Sequence, residues 1–192
     1  MIYIIRHGQT HLNKSQVLQG RSDHPLNEEG IRQAGEAAEW FRSQGIRFSH
    51  VFSSPLKRAL QTAEIAAGGA PVTVDERLIE MDYGPYEGMD LRSPAPEIIT
   101  FFSDFINQPA PEGMEQLSEV VRRSGELMED IRGMEGDILI STHAIAMKGI
   151  LEYLTPESKG SYWNKYVGNC AVYAAASTGG RFGIPEEVFS LQ

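Results

Sequence analysis

The chain has 192 residues, 41% hydrophobic and 22% charged, enough for one domain with a single core and without low-complexity tracts. Its net charge of −9, from 17 basic against 26 acidic residues, argues against a nucleic-acid partner, because affinity for a phosphate backbone needs clustered Lys and Arg. The single cysteine, Cys170, excludes an intrachain disulfide and lies in the apolar run CAVYAAA, where a buried structural role is expected.

The opening IYII is a short apolar run that stops at Arg6, the pattern of a buried strand running into a loop. It is too short for a signal-peptide core or a membrane span, so a cytoplasmic protein with no membrane partner is expected. From Asn27, NEEGIRQAGEAAEWF supplies an N-cap, two first-turn acids and apolar or small positions at Ile31, Ala34, Ala38 and Phe41. That predicts an amphipathic helix ending at Gly45. Residues 50–53 read as a strand, and Ser54 as cap with Pro55 in the first turn predicts a helix through residue 67. Residues 72–74 and 78–80 read as extended, 97–106 as a short aromatic helix and 115–132 as a longer one. Residues 137–142 (DILIST) read as strand, 144–153 as helix and 170–176 as strand.

Strands alternating with helices imply a mostly parallel sheet covered on both faces, and such sheets bind ligands beyond the carboxyl ends of their strands. Arg6 and His7 end the first strand and His143 ends DILIST, so two histidines far apart in sequence are expected at one crevice.

RHG at 6–8 is followed by QTHLN (9–13), QGRSDHPLNEEG (19–30), SSPLKRALQTAE (53–64), LIEMDYGPYEG (78–88) and ILISTH (138–143). This series, over residues 1 to 150, resembles the histidine phosphatase superfamily, the phosphoglycerate mutase-like family, in content, order and spacing. The resemblance implies a three-layer α/β sandwich with a mostly parallel central sheet. It also implies a phosphohistidine mechanism needing no metal or other cofactor. It casts His7 as nucleophile, Arg6, Arg58 and His143 as holders of the phosphoryl oxygens, and Glu80 as proton donor. Gly8, Asn13, Gln19, Gly20 and Ala144 fall at positions that line the phosphate pocket.

Each role has its own physical reason. A neutral imidazole nitrogen is a competent nucleophile near pH 7 and divides one hard displacement into two easier ones. A phosphoryl group carries about two negative charges and is matched by the planar donor forks of Arg6 and Arg58. The leaving oxygen must be protonated as the ester bond breaks. Asp82 and Glu87 lie close to Glu80 in sequence and compete for that task. His11, His24 and His50 match nothing catalytic, and no HExxH-like spacing occurs, so no metal site is expected.

Two positions depart from the family's pattern. Ala144 stands where glycine is usual after the second histidine, which is harmless if the residue opens a helix and straining if it needs positive φ. Leu12 replaces the usual tryptophan before Asn13.

A mutase needs extra positive charge in its covering segment, whereas here, between Gly84 and Gly113, Arg92 is the only cation, set among Glu87, Asp90, Glu97, Asp104 and Glu112. The expectation is therefore a phosphomonoester hydrolase of the histidine acid phosphatase type, one domain over 1–192 with a small helical cap-like insertion at 84–113. Phosphoglycerate mutase-type phosphotransfer and a catalytically idle phosphoester-binding protein are the alternatives. Tyr86, Ile98, Ile99, Phe101, Phe102 and Phe105 either form a local core or contact substrate; if the latter, α-ribazole phosphate or a nucleoside monophosphate fits. The sequence leaves a homodimer open.

Overall fold

A computed structural model describes residues 1–191. Its frame is a six-stranded sheet built from β1 (Ile2–Arg6), β2 (Phe48–Ser53), β3 (Thr73–Val74), β4 (Asp137–Thr142), β5 (Val172–Ala175) and, beyond a two-stranded hairpin of β6 (Ser177–Thr178) and β7 (Arg181–Phe182), β8 (Glu186–Phe189). The order is β3-β2-β4-β1-β5-β8. β1, β2, β3 and β4 run parallel, and β5 pairs antiparallel with both β1 and β8.

The alternation of side chains along β1 and β4 sorts the core into two layers. Ile2, Ile4, Ile138 and Ile140 pack on one face against α5 (Leu117–Asp130) and α6 (Ala144–Leu154) through Leu127, Met128, Met147, Ile150 and Leu151. Tyr3, Ile5 and Leu139 pack on the other against α2 (Glu28–Ser43) and α3 (Lys57–Ala66) through Ala34, Ala37, Phe41, Ala63 and Ala66. The small residues of α2 and α3 let these helices lie close to the sheet. The result is the three-layer sandwich with a mostly parallel central sheet. No helix among the described residues is long and apolar enough to cross a membrane.

Several local expectations are corrected. α2 is capped by Asn27 as predicted, but its buried face is Gly30, Ala34, Ala37 and Phe41, and Ile31 is exposed. The face is rotated because Gly30 lies against the backbone of Gln9, where no side chain fits. α3 opens at Lys57 with Leu56 at its cap, and Ser54 is drawn away from capping by a hydrogen bond to His143. Of residues 78–80, Leu78 is not extended but closes a single 3-10 turn, Glu76–Leu78, capped by Asp75, while Ile79 is extended and leads into Glu80. Cys170 is fully buried but precedes β5 in a left-handed conformation, φ 55°. The predicted 84–113 insertion holds one 3-10 turn, Gly84–Tyr86, and α4 (Pro96–Ser103), with the rest irregular. Two elements carry no clear signal in the sequence: α1 (His11–Lys14), a one-turn helix, and β8, a short and largely exposed edge strand without strong apolar periodicity.

Candidate active site

The carboxyl ends of the two central strands, β1 and β4, build the site. β1 ends at Arg6, and His7 follows with its amide donating to the Thr142 carbonyl (2.9 Å). The Asn169 Nδ2 donates to the His7 carbonyl at 2.9 Å, and the Cys170 amide to that of Arg6 at 3.1 Å. The left-handed turn at Cys170 thus fixes the backbone under the histidine. Gly8 follows because a Cβ there would meet the Gly30 carbonyl oxygen at 2.5 Å.

His7 is buried, and its Nδ1–H donates to the Gly8 carbonyl at 2.7 Å, a tautomer inferred from the acceptor it faces. The lone pair is thereby left on Nε2. Burial, then the Arg58 and Arg6 guanidiniums, hold His7 well below the usual imidazole range, with the Gly8 bond acting weakly the other way. The ring is therefore neutral near pH 7.

His143 ends β4 and caps α6, its ring centroid 5.1 Å from that of His7. Its Nδ1 accepts from Arg58 Nε at 3.2 Å and its Nε2–H donates to Ser54 Oγ at 2.7 Å. Burial first, then Arg58, keep this ring neutral as well.

Arg58, on the first turn of α3, is fully buried, and burial lowers its pKa to about 10. It donates Nη1–H to the Ser22 carbonyl (2.8 Å) and Nη2–H to that of Gly20 (2.5 Å). In the amide orientation that satisfies both ends of Gln19, its Oε1 accepts from Arg58 Nε (3.0 Å) and Nη1 (2.7 Å), while its Nε2 donates to Thr10 Oγ1 (2.6 Å). Arg6 donates Nη1–H to the Val167 carbonyl at 2.5 Å, but its Nε is buried without any partner. A buried, unpartnered guanidinium N–H beside a neutral histidine marks a place for an anion's oxygen.

Glu80 is buried against the start of α6. Its Oε1 accepts from the Met81 (2.8 Å) and Ala146 (3.0 Å) amides, and its Oε2 from the Ile145 amide alone, at 3.2 Å. Ala144 is the first residue of that helix and does not have positive φ, so its methyl group introduces no strain. A first-turn amide such as that of Ala144 has no intrahelical acceptor and remains available to a ligand.

The structure thus brings Arg6, His7, Arg58, Glu80, His143 and Ala144 together. Three further pocket assignments have polar groups engaged within the protein. The Gly8 amide is spent on Thr62 Oγ1 (3.0 Å), and the Gly20 amide on Glu87 (3.0 Å to either oxygen), so both glycines serve through their carbonyls. Asn13 Oδ1 accepts from the Thr10 amide (3.1 Å) in a capping box, next to the Thr10–Gln19–Arg58 chain.

The competitors of Glu80 are occupied elsewhere. Glu87 accepts from the Gly20, Arg21 and Ser22 amides and from Ser22 Oγ, and Asp82 accepts from the Gly84 amide and faces Arg21. The aromatic covering segment is largely core: Ile98 and Phe101 are buried with Met81, Tyr83 and Ile145, Ile99 is exposed, and Phe102 and Phe105 are half-buried. Sequence reasoning missed Ser54 and Thr62, both inside the motif SSPLKRALQTAE.

The family described as "Histidine phosphatase superfamily (branch 1)" matches residues 2–186. A "Probable phosphoglycerate mutase GpmB" of Yersinia pestis (strain Pestoides F) is 35% identical over 161 residues, covering 80% of this chain and 74% of that one. Among solved structures, a mycobacterial glucosyl-3-phosphoglycerate phosphatase, in complex with VO3, is similar at 25% identity and TM-score 0.83, covering 94% of each chain. A phosphoserine phosphatase of Entamoeba histolytica, in complex with 3-phosphoglyceric acid, is similar at 25% identity and TM-score 0.81, covering 100% of this chain and 97% of that one.

Proposed function

Because the chain belongs to the histidine phosphatase superfamily, we propose that it hydrolyses small phosphomonoesters through a phosphohistidine on His7, without a metal or other cofactor. The observation that carries this reading is the neutral, buried His7 with its free Nε2 lone pair beside the unpartnered Arg6 Nε and the Arg58–His143 pair.

In the first step Nε2 of His7 attacks phosphorus, an N–P bond forms, and the P–O bond to the alcohol breaks. Glu80 gives its proton to the leaving oxygen. Oε2 is the oxygen suited to carry that proton, because it accepts only the long bond from Ile145. In the second step a water attacks phosphorus and gives a proton back to Glu80, the N–P bond breaks, and inorganic phosphate leaves a neutral His7. Arg6 and Arg58, with the amide of Ala144, face the equatorial oxygens on which charge accumulates. Asn13, Gln19 and the carbonyl of Gly20 orient Arg58.

Hydrolysis is favoured over mutase-type transfer because Arg92, the one cation of the covering segment, is committed to Asp90 (2.6 Å). A preference for an apolar body, as in α-ribazole phosphate or a nucleoside monophosphate, is left to Tyr86, Ile99, Phe102 and Phe105, since Ile98 and Phe101 are consumed by the core. The expected setting is cytoplasmic.

The test is phosphate release from an aryl phosphate in the presence of a chelator. Wild type turns over and His7→Ala loses at least about 10³-fold, since the nucleophile itself is gone. Turnover surviving in His7→Ala, or lost on chelation, overturns the mechanism. Tight vanadate or phosphate binding with no turnover instead indicates the idle binding protein.

A further inference from the structure

Glu80 lies in a stretch without regular structure, residues 79–83, so no helix or sheet ladder fixes its backbone. Two side chains from another part of the chain do so instead. Arg123, on α5, donates Nη1–H to the carbonyls of Arg77 (2.7 Å) and Ile79 (2.6 Å). Glu115, just before α5, accepts from the Asp82 amide at Oε2 (3.1 Å), and its own amide donates to the Asp82 carbonyl (2.9 Å). The two side chains also hold each other, Arg123 Nε on Glu115 Oε1 at 2.7 Å and Nη2 on Oε2 at 3.2 Å, with only 11% and 12% of them exposed.

A peptide unit is planar, so a carbonyl and the amide that follows it turn as one body. Arg123 therefore fixes the Ile79–Glu80 peptide, and Glu115 fixes the Met81–Asp82 peptide. The unit between them is bonded by Glu80 itself, whose Oε1 accepts from the Met81 amide. With both flanks held, the Glu80 carboxyl is directed at the amides of Ile145 and Ala146. Arg21 reaches the same Glu115 Oε2 at 3.4 Å from the loop whose Gly20 and Ser22 carbonyls accept from Arg58. The pair thus stands between the segment of Glu80 and the loop that holds Arg58. A buried ion pair is weak evidence for stability, because desolvation offsets much of the attraction, but a guanidinium fork on fixed acceptors specifies geometry.

We propose that Arg123 and Glu115 are positioning residues for proton transfer, a buried pair that sets the reach of the Glu80 carboxyl toward the leaving oxygen without touching substrate. This rests on the hydrolase reading and deepens it, separating the control of protonation from the grip on phosphorus.

The test varies the leaving group. Glycerol 3-phosphate departs as an alkoxide that must be protonated, whereas dinitrophenyl phosphate releases a phenolate that is stable without a proton, so a fault confined to the donor falls on the first ester. The quantity measured is kcat/KM, which covers the steps up to release of the alcohol, and Glu80→Gln serves as reference, with its loss concentrated on glycerol 3-phosphate. In Arg123→Lys, which lacks the fork, and in Glu115→Gln, which lacks the charge, kcat/KM for glycerol 3-phosphate falls about 10-fold to 100-fold, the scale of a misplaced catalytic group, and that for the dinitrophenyl ester less than about 3-fold. Arg123→Met shows the same bias, and should it not fold, the two conservative variants, with melting curves to establish folding, carry the test. Equal losses on the two esters in folded variants, or no loss on either, overturn the assignment and leave the hydrolase reading intact. Folded wild type that cleaves neither ester, or a Glu80→Gln enzyme without the bias, overturns the reading on which it rests.

Discussion

Ser54 illustrates how a residue remote from the reacting atoms can set their chemistry. Its hydroxyl accepts from His143 Nε2, which commits His143 Nδ1 to accepting from Arg58 Nε, so one side chain fixes a tautomer and the pose of a guanidinium. Ser54→Ala removes that acceptor from a site with no exposure to water. The expected result is a fall in kcat of about 10-fold to 10²-fold with little change in fold, by comparison with other residues that orient a catalytic group. Glycine at position 54 is expected to behave like alanine, and threonine to restore activity. A Ser54→Ala enzyme with wild-type kcat indicates that His143 is oriented by packing alone.

At the scale of elements, the loop from Gln19 to Ser22 has no regular structure, yet it carries the two carbonyls that accept from Arg58. Glu87, whose carboxylate accepts from three consecutive loop amides and the Ser22 hydroxyl, holds it in place. Glu87→Ala leaves these donors unpaired in a half-buried position and is expected to cost about 2–3 kcal/mol of stability and lower activity together. A denaturant titration with unchanged midpoint shows that the loop is held otherwise. Gly84 makes a second tie between segments, with φ +50° and a built Cβ falling onto the Gly113 carbonyl. Gly84→Ala is expected to destabilise by more than about 1 kcal/mol through both strain and the close approach.

For the whole molecule, burying two neutral histidines links folding to pH. Both rings sit below the ordinary 6.5 in the folded state, so below that pH the unfolded chain binds more protons and stability falls as pH falls. With both rings held neutral the slope reaches about 2.7 kcal/mol per pH unit. Melting temperature is expected to be flat on this account from pH 8 to about 7 and to drop from pH 6.5 to 5. In His143→Gln, which cannot titrate, the drop is shallower, and an unchanged slope there means His143 is protonated in the native state.

The residues alone determined much of this. The alternation of apolar runs with amphipathic segments specifies a layered α/β sandwich, and motif order placed His7, Arg6, Arg58, Glu80 and His143 together, because strand ends and first-turn positions are local features that sequence period reports directly. The α2 face could not be read in this way, because Gly30 is buried by a contact with the backbone of Gln9, which lies well before the helix in the chain and outside its period. Tertiary structure alone decided which amides reach Glu80 and Glu87, the first accepting from Ile145 and Ala146 at the start of α6 and the second from the Gly20–Ser22 loop. It also decided that Ser54 serves His143 rather than a helix end, and that Arg123 and Glu115 reach the backbone on either side of Glu80. Each of these turns on hydrogen-bond partners far apart in the chain, and a partner's absence, like its presence, exists only once the chain has folded.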